Sequence, residues 1–511
     1  MDILAHLSGG LAEAVQPINL ALIIVGVVLG LFIGMMPGLG SVNGVAILLP
    51  ITFLVPPASA IIFLASIYYG AMYGGAISSI TLGIPGASTA VATTFDGRPL
   101  ALKGRASLGL VTAAVASFVG GTVSIVLFTM FAPPLASVAL SFGPPEIFAL
   151  MLLAFATFVG LGGDDIPKTI LSICLGLVLA AVGYDEISGA PRLVFFDIPG
   201  FLHGINFLVL AIGIYGIGEM LWTIDTTRGK VTSTEARMTF KGAIADTKES
   251  LRNGWKGMSI GSFLGFFVGI LPAAGATPGS LMAYGVAKLT SRDPESYGKG
   301  NVDGVAAPES ANNSASTGSM LPMITLGIPG SPTTAILLGG MVIWGLTPGP
   351  RLFTDQPEFV WGLIGSFYVS NVVALLINLS FIPLFIWMLR MPFTILAAII
   401  FVLSIVGGYA ATNDMHDVWL MLLFGLGGFF LRKFEYPVAP AVLAIVLGPI
   451  AEPTLRQSLL LSSGDPSIFF TRPIAGPITV IATILIILPL FKLIKGRNRR
   501  PNAAGALASR K

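Results

Sequence analysis

The chain has 511 residues, of which 54% are hydrophobic and only 10% are charged, and its mean hydropathy is +0.87. A soluble domain carries roughly 25% charged residues, so this composition excludes a soluble protein and predicts an integral protein of the lipid bilayer. The net charge of +3 is spread unevenly, because residues 1–97 contain no Lys or Arg whereas segment 225–256 and the C-terminal tail are rich in both. Basic loops stay in the cytoplasm, so we expect 225–256 and the C-terminus inside and the N-terminus outside.

The first apolar span, residues 18–36, ends at a predicted helix break that reads Pro37-Gly38-Leu39-Gly40. Proline lacks a backbone donor and glycine loosens the turn, so a helix stops there. The apolar run that follows, 44–55, is too short for a full crossing, which favours a re-entrant half-helix. Within the span, small residues at four-residue spacing allow another helix to pack closely; they are Gly26, Gly30 and Gly34.

A six-residue motif, TLGIPG, occurs twice, at 81–86 and 325–330. Upstream of each copy, GLFIGMMPGLG at 30–40 matches GFFVGILPAAG at 265–275. In that register, glycines and prolines of the first copy coincide with Gly261, Gly265, Gly269, Pro272, Gly275 and Gly279 of the second. The chain is therefore a duplication, which we divide into a first membrane repeat 1–224, a cytoplasmic linker 225–256, a second membrane repeat 257–495 and a basic cytoplasmic tail 496–511.

The other predicted elements follow from apolar runs separated by polar stretches. Residues 84–106 and 291–320 are polar, and the first of these is also broken. Predicted spans lie near 58–83, 107–132, 145–162, 166–183, 201–223, 257–271, 335–347, 359–388, 392–409, 416–431, 436–450 and 473–494. The predicted fold class is an all-α integral membrane protein with about 11 to 14 spans and re-entrant segments.

The orientation of the two copies follows from the charge distribution. The first glycine-rich span starts outside, whereas its counterpart starts from the basic segment 225–256. The copies are then inserted upside down relative to each other, and inverted-topology repeats with broken helices are typical of secondary transporters.

Paired helix breaks at matching positions are the best sequence pointer to a transporter binding site. Free N–H groups at a half-helix start suit an anion, and free carbonyl groups suit a sodium ion. The predicted substrate-binding residues are Gly38, Gly40, Ser41, Asn43, Pro85, Gly86, Ser88, Thr89, Asn312, Asn313, Ser314, Pro329, Gly330, Ser331, Thr333 and Thr334. The predicted sodium ligands are Thr81, Thr277, Glu309, Thr317 and Thr325. The structural alternative is a sharp turn whose hydroxyl groups only cap helices.

The remaining acidic residues carry weaker signals than Glu309, the best candidate for an ion-linked carboxylate. We interpret Asp164-Asp165, Asp185-Glu186 and Asp414 as solvated residues at span ends, and Glu219 as a residue that could face the lipid headgroups. The single cysteine, Cys174, lies in an apolar run and is interpreted as a small buried side chain, which excludes a disulfide framework and a thiolate metal site.

No enzyme motif is complete in this sequence, so we expect a protein without catalytic residues or a cofactor other than a coupling ion. The run from Gly163 to Thr169 mimics the end of a P-loop, but Pro167 stands where the glycine before the lysine is required. Tyr184-Asp185 lacks the partner glycine motif of an intramembrane aspartyl protease in the right order. The basic tail is a topology signal, and no nucleic-acid partner is expected.

Several long motifs resemble the large membrane subunit of bacterial tripartite tricarboxylate transporters. They are PGLGSVNGVAILLPIT, TLGIPGASTAVATTFDGRPLA, PESANNSASTGSMLPMITLGIPGSPTTAILLGGM and YPVAPAVLAIVLGPIAEPTLRQSL. The resemblance covers nearly the whole chain. One departure from internal symmetry is that copy two has Ala273-Ala274 where copy one has Gly38-Leu39.

This resemblance implies a permease of the bacterial inner membrane that takes up an organic carboxylate, such as a tricarboxylate, by symport driven by an ion gradient. Sodium is the expected coupling ion and a proton the alternative. It also implies two partners, a small membrane subunit and a periplasmic solute-binding protein. A channel or a membrane scaffold subunit without coupled transport is the alternative function.

Overall fold

The computed structural model describes residues 3–36, 39–161, 165–185, 188–194, 198–226, 240–272, 275–388 and 393–497, and these are almost entirely helical. Six described helices are long and apolar enough to cross a membrane, and six shorter apolar helices accompany them. The strands in the described part of the chain are one antiparallel pair, Gly183–Tyr184 with Pro191–Arg192. The predicted all-α membrane protein is confirmed.

The first copy supplies helices that pack around one long buried helix, α4. They are α1 (Ile3–Ala14), α2 (Pro17–Met35), α3 (Gly40–Leu48, continued by a 3-10 turn Leu49–Leu54), α4 (Pro57–Thr81), α5 (Val91–Leu102, after a 3-10 turn Ser88–Ala90) and α6 (Ala106–Ala139). After these come α7 (Pro144–Leu161), α8 (Ile166–Ala180), a 3-10 turn (Pro199–His203), α9 (Phe207–Ala211), a π-helix (Ile212–Gly218) and α10 (Glu219–Thr226).

The second copy repeats the arrangement around its own buried helix, α13. Its elements are α11 (Phe240–Ile270), α12 (Ala276–Thr290), a 3-10 turn (Pro294–Ser296), α13 (Val302–Leu326), α14 (Pro332–Ile343), α15 (Leu352–Asp355), α16 (Pro357–Met388), α17 (Phe393–Thr412), α18 (Met415–Lys433), α19 (Val438–Leu461), α20 (Ile468–Thr471) and α21 (Ala475–Arg497).

The structure differs from the predictions, or adds to them, in five details. The polar stretch 291–320 contains most of α13, which is buried from Val302 to Thr325 except for intermediate exposure at Asp303. Residues 91–102 of the broken stretch 84–106 form a helix. The predicted span 335–347 is the 12-residue helix α14, and α11 already begins at residue 240, inside the predicted linker. Cys174 is exposed on α8 because that helix turns one face away from the bundle.

Glycine stripes bring the long helices of each copy into contact. Where Gly34 of α2 meets α4, a Cβ would overlap the Ala71 carbonyl group, and where Gly269 of α11 meets α13, a Cβ would overlap the Ala315 carbonyl group. Small residues allow this approach of backbone to backbone. The equivalent positions of the two copies therefore make equivalent contacts, as the duplication predicts.

Replacing either Gly34 or Gly269 with alanine is expected to lower stability by about 1–3 kcal/mol, since overpacking forces the helices apart. The measurement is the thermal midpoint of the purified protein in detergent. Gly285→Ala on α12 is the control, because a Cβ there meets nothing within 4 Å. Wild-type midpoints for both variants would contradict the proposed close packing.

Candidate functional site

Two short helices start at the predicted breaks, and a third starts directly after the second TLGIPG motif. α3 begins at Gly40, whose φ is +63°, and α12 begins after Gly275, whose φ is +68°, so both starts use a conformation that favours glycine. α14 begins after Ser331, which forms a capping box with Thr334: each side-chain oxygen accepts the other residue's backbone N–H, at 3.2 and 2.9 Å. The helix-capping alternative therefore holds for Ser331 and Thr334.

Hydrogen bonds between the two copies join the breaks reciprocally. The hydroxyl groups of Ser41 and Thr333 are 2.9 Å apart, and those of Ser88 and Thr277 are 3.0 Å apart. In each pair, one residue follows the first glycine-rich span of one copy and the other follows the TLGIPG motif of the other copy. Within the second copy, the Gly275 N–H donates to the Gly330 carbonyl group at 3.1 Å.

A cavity of about 930 Å³ lies where these segments meet. Tyr68 of the buried helix α4 forms part of its wall. Ten of the residues predicted to bind substrate or sodium line this cavity: Gly40, Ser41, Asn43, Pro85, Gly86, Ser88, Thr89, Thr277, Ser331 and Thr333. The two breaks thus share one cavity, which is the arrangement that a binding site between repeats requires.

Other residues predicted to bind substrate lie outside the lining of this cavity. Gly330 fits closely against α13, where a Cβ would lie 2.7 Å from the Ser319 Cα atom, so its role is packing. The amide groups of Asn312 and Asn313 donate to backbone carbonyl groups of Met72 and Glu309, at 3.3 and 3.2 Å. The other residues outside the lining are Ser314, Pro329 and Thr334, and Gly38 falls outside the described residues.

The predicted sodium ligands have separate partners. Thr81 and Thr325 each donate to a carbonyl group one turn earlier in their own helix, both at 2.6 Å, because a hydroxyl group in a buried helix commonly bonds back in this way. Thr317 bonds the hydroxyl group of Tyr69 at 2.6 Å, and Thr277 bonds Ser88. Glu309 is fully buried and accepts hydrogen bonds from two hydroxyl groups of α5 and α6.

Sequence reasoning missed the charged part of the cavity wall. Arg432, at the end of α18, and Glu219, at the start of α10, both line the cavity and form an ion pair. Glu219 is only 8% exposed, so it does not face headgroups. Arg432 follows an apolar run, where a basic residue reads as a topology signal, and no local pattern links it to a carboxylate far away in the sequence.

A second cavity, of about 610 Å³, lies beside the far end of α14. Its wall includes Arg192, which contacts Glu452 at 2.7 Å, and Arg456, which contacts Asp185 at 2.8 Å. Asp185 is 7% exposed, so its interpretation as a solvated residue is wrong. This charge cluster ties the two short strands to α19.

Comparisons with known proteins identify the family of this chain. The model of the tripartite tricarboxylate transporter TctA family matches residues 20–443. No solved structure matches this chain.

Two proteins of Agrobacterium vitis are similar to the chain. One, an uncharacterised 52.8 kDa protein of the TAR-I ttuC′ 3′ region, is 37% identical over 497 residues, which are 97% of this chain and 98% of that protein. The other, an uncharacterised protein of the TAR-II ttuC′ 3′ region, is 36% identical over 233 residues, 46% of this chain and 96% of that protein. On the family match over most of its length, the chain belongs to the tripartite tricarboxylate transporter TctA family.

Proposed function

We propose that this multi-pass membrane protein carries an organic carboxylate through the cavity between its two helix breaks, driven by an ion gradient. The family assigns it to a transporter that works with other subunits. In the proposed scheme a periplasmic solute-binding protein delivers the carboxylate, and a small membrane subunit completes the complex in the bacterial inner membrane. Sodium is the proposed coupling ion, with a proton as the alternative.

The observation that carries this proposal is the convergence of three helix N-termini on one cavity. Gly40 at the start of α3, Ala276 at the start of α12 and Pro332 at the start of α14 all line it. Each N-terminus carries about half a positive charge. The first turns of α3 and α12 also have N–H groups without partners inside the helix, whereas in α14 Pro332 has no N–H group and Ser331 already caps that of Thr334. Together with the hydroxyl groups beside them, they suit an anion such as a carboxylate.

The positive-inside rule supports a cytoplasmic opening for this cavity. Near the basic linker, Arg105 pairs with Glu249 at 2.7 Å, and Lys433, next to the cavity residue Arg432, contacts Asp225 at 3.3 Å. Asp225 is the first residue of the linker and Glu249 lies within it, and we assign the linker to the cytoplasm. With the N-terminus outside, the two copies have opposite orientations, and moving one region against the other would open the cavity to the periplasm.

The decisive experiment is uptake of labelled carboxylates into proteoliposomes that contain both membrane subunits, with the binding protein supplied outside. Saturable uptake that depends on a sodium or proton gradient is the expected result. Uptake that is unaffected when both gradients are collapsed would refute coupled transport.

Thr277→Val and Thr333→Val are each expected to weaken carboxylate binding about tenfold. Each removes one cavity hydroxyl group, and a hydrogen bond to a charged ligand contributes about 1.5 kcal/mol or more. Titration calorimetry with the purified protein measures the effect. Thr325→Val is the matched control, because its hydroxyl group bonds Leu321 within α13 and lies outside the cavity lining. If the wild type and the three variants bind the carboxylate with equal affinity, these hydroxyl groups do not contribute to the binding site.

The alternative function, a channel or scaffold subunit, makes a different prediction for the same variants. Under it, Thr277→Val and Thr333→Val change stability at most, and the carboxylate moves without accumulation or does not move. Accumulation of substrate against its gradient separates the two functions.

A further inference from the structure

Arg432 and Glu219 are the only charged side chains among the described residues that line the 930 Å³ cavity. Every other polar group there is a hydroxyl, amide or backbone group. The lining therefore offers a carboxylate ligand one guanidinium group, and that group is already paired with a carboxylate of the protein.

The local structure holds this pair at the cavity wall. Glu219 directly follows the π-helix Ile212–Gly218, an element that is rare and frequently found at functional sites. α18 packs against that π-helix and carries Arg432 in its last turn. The guanidinium group also lies 5.3 Å from the ring centroid of Trp222, one turn after Glu219.

Two buried polar atoms at or beside the Arg432–Glu219 pair have no hydrogen-bond partner in the described part of the chain. The Oε1 atom of Glu219 and the hydroxyl group of Tyr215 are both buried and accept or donate no hydrogen bond. Both residues line the main cavity and an adjoining cavity of about 260 Å³. Buried polar groups are normally satisfied. A ligand carboxylate can accept a hydrogen bond from the Tyr215 hydroxyl group, whereas the Glu219 Oε1 atom is an acceptor and requires a donor such as a hydroxyl group of the ligand.

We propose that Arg432 binds the carboxylate of the transported acid and that the Tyr215 hydroxyl group donates a second hydrogen bond to it. When the cavity is empty, Glu219 forms the ion pair with Arg432 instead. Ligand binding then exchanges one carboxylate for another on the same guanidinium group, and the released Glu219 carboxylate takes up a proton from solvent in the cavity, because a buried carboxylate without a counter-charge is costly. Arginine suits this exchange because its planar fork binds a carboxylate through two parallel hydrogen bonds. This inference rests on the proposed function and deepens it.

The proposed exchange predicts opposite changes in ligand affinity for substitutions of Arg432 and of Glu219. Arg432→Gln removes the ligand's charged donor and is expected to weaken binding about 100-fold, whereas Arg432→Lys, which keeps the charge but loses the fork, falls between. Glu219→Gln removes the competing carboxylate and is expected to tighten binding. Lys433→Gln is the matched control, because Lys433 is the neighbouring residue and does not line the cavity.

The experiment is a calorimetric titration of the full chain in nanodiscs with citrate, propane-1,2,3-tricarboxylate and succinate. Arg432→Gln leaves Glu219 unpaired, which could unfold the protein, so the double variant Arg432→Gln/Glu219→Gln removes both charges and keeps the test valid. A double variant with a wild-type thermal midpoint and lost binding supports the proposal. Tighter binding by Glu219→Gln supports it as well.

Two results would overturn the proposal in distinguishable ways. If the wild type binds one of the acids and the folded double variant binds it equally well, Arg432 does not recognise the ligand although the proposed function stands. If neither the wild type nor the complete transporter binds or accumulates any of the three acids, the proposed function fails for this ligand class, and the exchange fails with it.

Discussion

Asp96→Ala is expected to lower the stability of the protein by at least about 3 kcal/mol. Asp96 lies on α5, and its carboxylate is fully buried. It accepts backbone hydrogen bonds from Gly298, Gly300 and Asn301 at 2.9, 2.8 and 2.7 Å, and one from the Tyr284 hydroxyl group at 3.0 Å. Removing the acceptor leaves several buried donors unpaired, each at a cost of about 1–3 kcal/mol.

The thermal midpoint and the yield of monodisperse protein measure this effect. Asp96→Asn keeps one acceptor oxygen and is expected to fall between the wild type and Asp96→Ala. Glu295→Ala is the control, since Glu295 lies in the same connection between α12 and α13 but is exposed. If Asp96→Ala is as stable as Glu295→Ala, the carboxylate does not hold that connection to the first copy.

The location of the candidate site was predictable from the sequence because glycine and proline constrain the backbone wherever they occur. Gly40 and Gly275 adopt the positive φ that their repeated positions in the two breaks suggest. The TLGIPG motifs mark matching positions of a duplication, and the structure brings the end of the first motif and the residues directly after the second, Ser331 and Thr333, to one cavity. The conformational limits of glycine and proline are local, and a repeat is found by comparing the sequence with itself. Both can therefore be recognised in a single sequence.

Helix α13 was not predictable from hydropathy. Its sequence is rich in Ser, Asn and Thr, and such residues usually favour turns and caps. In the folded protein, hydroxyl groups bond back to the helix, as Ser310 does to the Ala306 carbonyl group at 2.9 Å. The small side chains let α13 pack against the glycines of α11. The helix therefore depends on its neighbours, and the sequence of the segment alone resembles a loop.

Contacts between segments that are distant in the sequence were not predictable either. The pairing of Arg432 with Glu219 depends on how α18 packs against the π-helix, and a π-helix has no sequence signature that hydropathy detects. The contacts of Asp96 were not predictable either. In the sequence Asp96 belongs to a broken polar stretch, whereas in the structure it accepts hydrogen bonds from four donors.

Glu309→Gln is expected to reduce gradient-driven accumulation at least about tenfold while leaving carboxylate binding intact. Glu309 is fully buried where α13 meets α5 and α6, and its carboxylate accepts hydrogen bonds from Thr93 and Ser117. Both donors are neutral, and no described basic residue forms an ion pair with it. A buried carboxylate without a counter-charge costs several kcal/mol, so Glu309 requires a proton or a cation.

The surroundings of Glu309 favour a cation bound by oxygen atoms. Asn313 lies one turn later on the same face of α13, and its buried side-chain oxygen, like that of Asn312, has no hydrogen-bond partner among the described residues. A sodium ion bound here would therefore have carboxylate and amide oxygen atoms as ligands, whereas a proton requires only the carboxylate. We expect Asn313→Ala to raise the sodium concentration for half-maximal uptake, and Glu309→Gln to abolish the sodium dependence.

Uptake into proteoliposomes under separate sodium and pH gradients measures these effects, with exchange of internal for external carboxylate as the assay for intact binding. Glu358→Gln is the control, because Glu358 is exposed at the start of α16. Wild-type accumulation by Glu309→Gln would exclude this carboxylate from coupling. If Glu309→Gln loses only the response to pH and Asn313→Ala behaves as the wild type, the buried carboxylate carries a proton, since glutamine keeps the shape of the side chain but cannot ionise.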